Sequence, residues 1–233
     1  MSSTLSLLDP HQVDQPFPDI SQALTEPNGL LAFGGCLSSQ RLINAYYQGI
    51  FPWYNEDEPI LWWSPDPRLI LLPDQLHISK SLQKTLRKQH YQITFDTAFN
   101  EVIKACAQPR TYEPNTWLST DMQQAYQDLH QQGHARSVEV WYQNELVGGI
   151  YGVAVGKVFF GESMFHRKTD ASKVAFVALV QQLAEWGYEL IDCQAHSPHL
   201  ISLGAKEIPR AEFAQLLQQY RDSKPHIQAW QSG

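Results

Sequence analysis

Apolar and polar positions follow a helical period in several parts of the chain. Over 119–133 the apolar side chains recur three and four positions apart, which predicts an amphipathic helix that Ser119 or Thr120 caps. The segment 171–186 is apolar nearly throughout, so it predicts a buried helix that ends at Gly187. Further helices are expected at 38–48, 79–89, 96–107, 197–203 and around 213–220. The predicted caps of the first three are Ser38 or Ser39, Ser79 and Asp96.

Other segments predict strands, and three of them lie close together. Two turns, Gln143-Asn144 and Gly156, separate segments that read as a meander, at 137–142, 145–155 and 157–165. Shorter strands are expected at 68–72, 91–95 and 188–192. A meander, then a buried helix, then a strand indicates the α+β class.

Two segments near the start of the chain have no such regularity. Residues 1–30 are polar and interrupted by proline, which predicts an extended path over the surface. Residues 50–67 combine prolines with aromatic side chains, a composition typical of a packed loop or a domain junction. We therefore expect a boundary near residue 66, with a small domain at 1–66 and a larger one at 67–233.

Composition narrows the class of protein. The 233 residues carry a net charge of −7, which argues against a general nucleic-acid binder. Three well-separated cysteines and the absence of an apolar signal segment favour a reduced, cytoplasmic protein without a membrane partner. No motif indicates a bound metal, a nucleotide cofactor or a serine nucleophile.

Positive charge is concentrated in one predicted helix. The segment 75–95 contains four basic residues and no acidic one, while the other 13 basic and 24 acidic residues sum to −11. The four are Lys80, Lys84, Arg87 and Lys88. They share an arc of about 100° on the helix, which fits either an ordinary solvated face or a surface for phosphates.

Two sites in the second half of the chain carry candidate chemistry. Asp192 and Gln194 leave the end of a predicted strand on one face, with Cys193 on the other, and suit either orientation of a reacting group or simple capping. Glu162 lies within the apolar segment 159–165. A buried carboxylate needs a partner or a ligand, so an ion pair or a hydroxyl partner is the structural alternative.

Aromatic residues offer a third kind of site. Trp53, Trp62 and Trp63 lie in one loop, with Tyr46 just upstream. Such side chains either pack in a core or stack on a nucleobase, which is worth roughly 1–3 kcal/mol per base.

Eight blocks, found in order along nearly the whole chain, give it a resemblance to the leucyl/phenylalanyl-tRNA–protein transferase family of bacteria. The blocks are E-P-N-G-L-L-A-F-G-G from Glu26, Y-Y-Q-G-I-F-P-W from Tyr46, L-W-W-S-P-D-P-R from Leu61, S-V-E-V-W from Ser137, L-V-G-G-I-Y-G-V-A from Leu146, F-F-G-E-S-M-F from Phe159, I-D-C-Q from Ile191 and S-L-G-A-K-E-I-P-R from Ser202.

The resemblance implies a function and a fold. It implies an enzyme that moves Leu, Phe or Met from aminoacyl-tRNA to a protein beginning with Arg or Lys, which marks that protein for degradation (the N-end rule). It also implies a small N-terminal domain, a larger domain similar to the GNAT-type acyltransferase fold, no metal and no coenzyme. We further expect a monomer.

The resemblance also implies roles for particular residues. Asp192 and Gln194 would be catalytic, and Glu162 would lie at the reaction centre or the acceptor site. Trp53 and Trp117 would hold the terminal adenosine, beside Tyr46. A hole for the donor amino acid would be lined by Ile150, Phe159, Met164 and Leu179, and the basic helix would bind the tRNA.

Two other functions fit parts of the sequence. A coenzyme A-dependent N-acetyltransferase would share the implied fold, but the segment 167–173 lacks the glycines that usually bind the pyrophosphate. A non-catalytic module that binds RNA or peptide would leave Asp192 and Glu162 structural.

Overall fold

The computed structural model describes residues 5–108 and 117–231. In this part of the chain the strands are β1 (Ser6–Leu8), β2 (Leu30–Gly34), β3 (Phe51–Pro52), β4 (Leu61–Trp63), β5 (Arg68–Leu71), β6 (Gln92–Phe95), β7 (Ala135–Tyr142), β8 (Glu145–Val155), β9 (Val158–His166), β10 (Leu190–Gln194) and β11 (Lys206–Ile208). The helices are α1 (Ser39–Tyr47), α2 (Lys80–Arg87), α3 (Phe99–Cys106), α4 (Thr120–Gln131), α5 (Ala171–Glu185), α6 (Pro198–Ile201) and α7 (Arg210–Tyr220). Helices and sheets occur together, so the α+β class is confirmed.

The first sheet was not expected from the sequence. Strands β1 to β4 form it in the order β1-β2-β4-β3, where the sequence predicted an extended surface path and an irregular loop. These strands are only two to five residues long, so they are too short to show an alternation of apolar and polar positions. Pairing between distant segments forms them instead.

The second sheet contains the predicted meander. Its order is β11-β5-β10-β9-β8-β7-β6, and β9 and β10 are its parallel pair. Helix α5 connects these two strands, as a parallel pair requires a crossover. Strand β5 pairs with β10 in the antiparallel direction. The first residues of β5 therefore lie next to the last residues of β10.

Apolar side chains cover both faces of the second sheet. Helix α5 packs with Ile150 and Phe159 in one cluster, while α3 and α4 pack with Tyr151 and Phe160 in the other. The second of these clusters continues into the first sheet through Trp62. Because one core spans both sheets, the division at residue 66 stays a prediction.

The helix starts follow the predicted caps, with one exception. Ser38, Ser79 and Ser119 accept hydrogen bonds from the first turns of α1, α2 and α4. The expected cap at Asp96 is wrong, since α3 begins later and has no side-chain cap. Asp96 instead binds Arg136, at 2.5 Å between Oδ2 and Nη1. Within the described residues, no helix has the length and apolar character needed to cross a membrane.

Two paired glycines on β8 and β9 make a matched test of this packing. A Cβ on Gly152 would lie 2.1 Å from the backbone carbonyl oxygen of Phe160. A Cβ on Gly161 would meet its nearest atom, the backbone carbonyl oxygen of Asp192, at 3.6 Å. We expect Gly152→Ala to lower the free energy of unfolding by about 3 kcal/mol or more, and Gly161→Ala by less than about 1 kcal/mol. Urea unfolding midpoints measure both, and equal losses would contradict this account of the sheet.

Candidate active site

The carboxylate of Glu162 projects from an irregularity in β9. Tyr151 pairs with Ser163 and Gly152 pairs with Gly161, so Glu162 is the extra residue of a β-bulge. A bulge bends the strand and re-aims the side chain of the extra residue. The bulge therefore directs the Glu162 side chain towards Tyr126 of α4.

Neutral donors satisfy both oxygens of this carboxylate. The Tyr126 hydroxyl donates to Oε2 at 2.6 Å, and the Gln194 side-chain amide donates to Oε1 at 2.7 Å. The Tyr46 hydroxyl lies 2.6 Å from that of Tyr126, so the chain of hydroxyls extends into α1. No cationic side chain among the described residues forms a salt bridge with Glu162.

This environment changes the acidity of the carboxyl group. Burial raises the pKa of Glu162 to about 7, because the charged form loses its hydration. The hydrogen bonds from Tyr126, Tyr46 and Gln194 oppose that shift, and the nearby Asp192 charge adds to it. A carboxyl group with a pKa near neutrality can exchange a proton with a substrate at cellular pH.

Gln194 is held by a salt bridge that is wholly excluded from solvent. Asp192 accepts from Arg68 at 2.8 Å (Oδ1 to Nε) and 2.6 Å (Oδ2 to Nη2), and both side chains are 0% exposed. Asp192 Oδ1 also accepts from the backbone N–H of Gln194 at 2.9 Å. Asp192 is therefore placed to orient Gln194, and its own carboxylate is enclosed by Arg68.

The end of β10 has the geometry that the sequence suggested, with an added bulge. Asp192 pairs with Ile70 and Gln194 with Leu69, so Cys193 is the extra residue. Gln194 has a φ of +63°, which turns its side chain towards Glu162. Cys193 faces the α5 side of the sheet, and burial raises the pKa of its thiol. A neutral, buried thiol is not a nucleophile.

Glu162 and Gln194 line a cavity of about 460 Å³ that is rich in aromatic side chains. Trp53 is 50% exposed and contacts Trp63 edge to face, with 5.7 Å between ring centroids. The other lining residues are Asn28, Phe51, Pro52, Pro65, Pro67, Trp117, Ala195, His196 and Glu207. The cavity thus brings Trp53 and Trp117 together with Glu162 and Gln194.

Several other predicted site residues lie outside this cavity. Tyr46 is fully buried behind Tyr126. Ile150, Phe159 and Leu179 are almost completely buried in the cluster around α5, and the partly exposed Met164 packs against that cluster. Their role as a hole for the donor amino acid stays a prediction.

The basic helix α2 is exposed beside a second cavity. Its cationic residues Lys80, Lys84, Arg87 and Lys88 are all exposed. Thr85 donates to Asp170 at 3.2 Å, and Asp170 lines the second cavity, of about 970 Å³. Three further cationic side chains line that cavity, those of Arg167, Lys168 and Lys173.

Sequence reasoning missed Arg68 and Tyr126 as parts of the site. Arg68 opens an apolar strand, and a charge in such a strand needs a buried partner, so its pairing with Asp192 could have been suspected. Tyr126 gave no signal, because its position in the helical pattern is equally that of a core residue.

Comparison with known proteins identifies the family of the chain. The family model described as leucyl/phenylalanyl-tRNA protein transferase matches residues 70–218, and the model for the N-terminal domain of that family matches residues 35–66. Proteins named leucyl/phenylalanyl-tRNA–protein transferase are similar at high identity. One from Nitrosomonas eutropha is 58% identical over 93% of both chains, and one from Methylococcus capsulatus is 55% identical over 97% of this chain and 96% of its own.

These relatives define an enzyme of the aminoacyltransferase class. More specifically, the chain belongs to the leucyl/phenylalanyl-tRNA protein transferase family.

Solved structures are similar to the chain at a lower level. A GCN5-related N-acetyltransferase from Kribbella flavida is 13% identical with a TM-score of 0.37, covering 70% of this chain and 58% of its own. The structure of L-PGS from Bacillus licheniformis has a TM-score of 0.42 at 14% identity, covering 57% of this chain and 47% of its own. We draw no conclusion from similarities of this size.

The raised pKa of Glu162 predicts how stability depends on pH. The ordinary value is 4.5 and the folded value is about 7, so the folded protein binds this proton more tightly than the unfolded chain does. The contribution of Glu162 to stability is therefore greatest below pH 4.5 and declines as the pH rises to about 7. Glu162→Gln should remove a decline of at most roughly 3–4 kcal/mol, since one pKa unit corresponds to roughly 1.4 kcal/mol.

Urea unfolding at a series of pH values measures this difference. Glu145→Gln, which removes an exposed carboxylate at the start of β8, is the matched control and should unfold like the wild type. Tyr126→Phe should raise the pKa of Glu162 further, because it removes a donor to the charged form, and carboxyl NMR would report that shift directly. Parallel curves for the wild type and Glu162→Gln would disprove the assignment.

Proposed function

We propose that this enzyme transfers Leu, Phe or Met from aminoacyl-tRNA to the N-terminal Arg or Lys of a protein, which marks that protein for degradation. The observation that carries the proposal is the position of Glu162, whose carboxyl group titrates near neutrality in the wall of an aromatic cavity. We further propose that the enzyme acts as a monomer. The three well-separated cysteines support a cytoplasmic location.

The reaction is aminolysis of an ester, and it needs little covalent help. The acceptor amine attacks the carbonyl carbon, a C–N bond forms, the bond to the ribose oxygen breaks, and the attacking nitrogen loses a proton. A free α-amino group has a pKa of roughly 7.7–8.0, so Glu162 is suited both to bind the ammonium form and to take its proton. The leaving ribose oxygen receives a proton at the end.

Gln194 and Asp192 have separate roles in this proposal. Gln194 contacts the amine or the tetrahedral centre with its amide, from a position beside Glu162. Asp192 is a positioning residue, because its carboxylate binds Arg68 and the backbone of Gln194. The rate acceleration then comes from the positioning of the two substrates and from the stabilisation of the oxyanion.

The donor end of the tRNA fits the aromatic part of the site. Trp53 and Trp117 stack on the terminal adenosine, which supports binding by roughly 1–3 kcal/mol per stacked base. Tyr46 acts through Tyr126 on Glu162 rather than by touching the substrate. The hole for the donor side chain, formed by Ile150, Phe159, Met164 and Leu179, stays a prediction. These four side chains lie in or against the cluster around α5, whereas Glu162 points towards α4.

A transfer assay tests the function. Labelled Leu on charged tRNA should appear on a peptide that begins with Arg, and Gln194→Ala should lower kcat about 100-fold, the loss typical of a removed oxyanion donor. Glu145→Gln should leave the rate unchanged. Binding of tRNA and peptide without any transfer would favour the non-catalytic module, and acetyl transfer from acetyl coenzyme A without charged tRNA would favour the acetyltransferase.

The exposed cations of α2 support a role in binding the tRNA acceptor stem. We expect Lys84→Glu with Arg87→Glu to weaken tRNA binding and to flatten its dependence on salt, since each lost phosphate contact removes about 0.9 from the slope of log K against log salt. The double variant Lys104→Glu with Lys224→Glu makes the same change of charge at exposed positions elsewhere. Equal affinities for both double variants at low salt would reject this role for α2.

A further inference from the structure

The aromatic cavity has an uneven charge distribution. Its described lining contains two carboxylates, Glu162 and Glu207, and neither Lys nor Arg. The proposed acceptor carries two positive charges, one on its α-amino group and one on the side chain of its first residue. The two carboxylates of the cavity therefore match the two positive charges of an N-terminal Arg or Lys in number and are opposite to them in sign.

Glu207 lies across the cavity mouth from the reacting groups. It belongs to β11 and pairs with Leu69 of β5, and Gln194 pairs with the same Leu69 from the other side. The backbones of Glu207 and Gln194 are therefore two strand spacings apart, which is a distance of about 10 Å. That separation suits an acceptor whose amine is at Glu162 and whose side chain extends away from it.

The Glu207 carboxylate is available to a ligand. Its side chain is 37% exposed, and Oε1 lies 2.6 Å from Nδ1 of His196. No described residue hydrogen-bonds to its other oxygen. Glu162 differs in this respect, since each of its oxygens already accepts one hydrogen bond, from Tyr126 and Gln194 respectively.

We infer that Glu207 binds the cationic side chain of the first residue of the acceptor and thereby sets the preference for Arg and Lys. This inference rests on the proposed transfer to N-terminal Arg or Lys and adds the group that reads the side chain. His196 orients the carboxylate through its short contact with Oε1. Charge recognition at this partly exposed position contributes binding and selectivity, while the chemistry stays at Glu162 and Gln194.

Steady-state transfer to matched peptides tests Glu207. The peptides begin with Arg, Lys or citrulline, which has the shape of Arg without its charge. For Glu207→Gln we expect KM to rise about tenfold for the Arg and Lys peptides, with kcat within about twofold of the wild type and the citrulline peptide unaffected. Glu145→Gln should behave as the wild type with all three.

Charge reversal gives a second measurement. Glu207→Arg should lower transfer to Arg peptides further and raise transfer to a peptide that begins with Glu. If Glu207→Gln keeps the wild-type preference for Arg over citrulline, the inference is overturned while the proposed function stands. If the wild-type enzyme transfers equally to Arg and citrulline peptides, the proposed acceptor class fails, and the role of Glu207 fails with it.

Discussion

The salt bridge between Arg68 and Asp192 fixes the geometry on which the site depends. It joins the first strand of the second sheet to the end of β10, and both side chains are fully buried. The rings of Phe51 and Phe213 lie 4.9 Å and 4.5 Å from the Arg68 guanidinium carbon, so the first sheet and α7 enclose the pair. Removal of one partner would leave the other charge buried and unpaired, which would lower the free energy of unfolding by about 3–5 kcal/mol. Gln194 takes its orientation from this arrangement.

Two irregularities in the second sheet bring the reacting groups together. The bulges at Glu162 and Cys193 lie on neighbouring strands, and they turn Glu162 and Gln194 towards each other. The tyrosines that complete the network come from α1 and α4, which lie far apart in the chain. The raised pKa of Glu162 is therefore a property of the assembled protein, since it follows from burial and from these particular donors.

The charge distribution matches two substrates of opposite sign. The net charge of −7 suggests no affinity for nucleic acid, yet the cations of α2 and of the second cavity make a local positive surface. The described lining of the aromatic cavity contains two carboxylates and neither Lys nor Arg. On the proposed function, an RNA donor and a basic acceptor would bind separate surfaces of opposite charge, and the whole-chain charge describes neither surface.

Local patterns in the sequence predict the helices, the meander and three candidate site residues, because each leaves a local signal. Helical and strand periods extend over several residues, and Glu162, Asp192 and Gln194 are polar side chains in or beside apolar strands. The tertiary structure decided the first sheet, the partnership of Tyr126 with Glu162 and that of Arg68 with Asp192. Short strands have too few positions to show a period, and contacts between distant residues depend on how the elements pack. The position of Glu207 opposite Gln194 follows from sheet order in the same way.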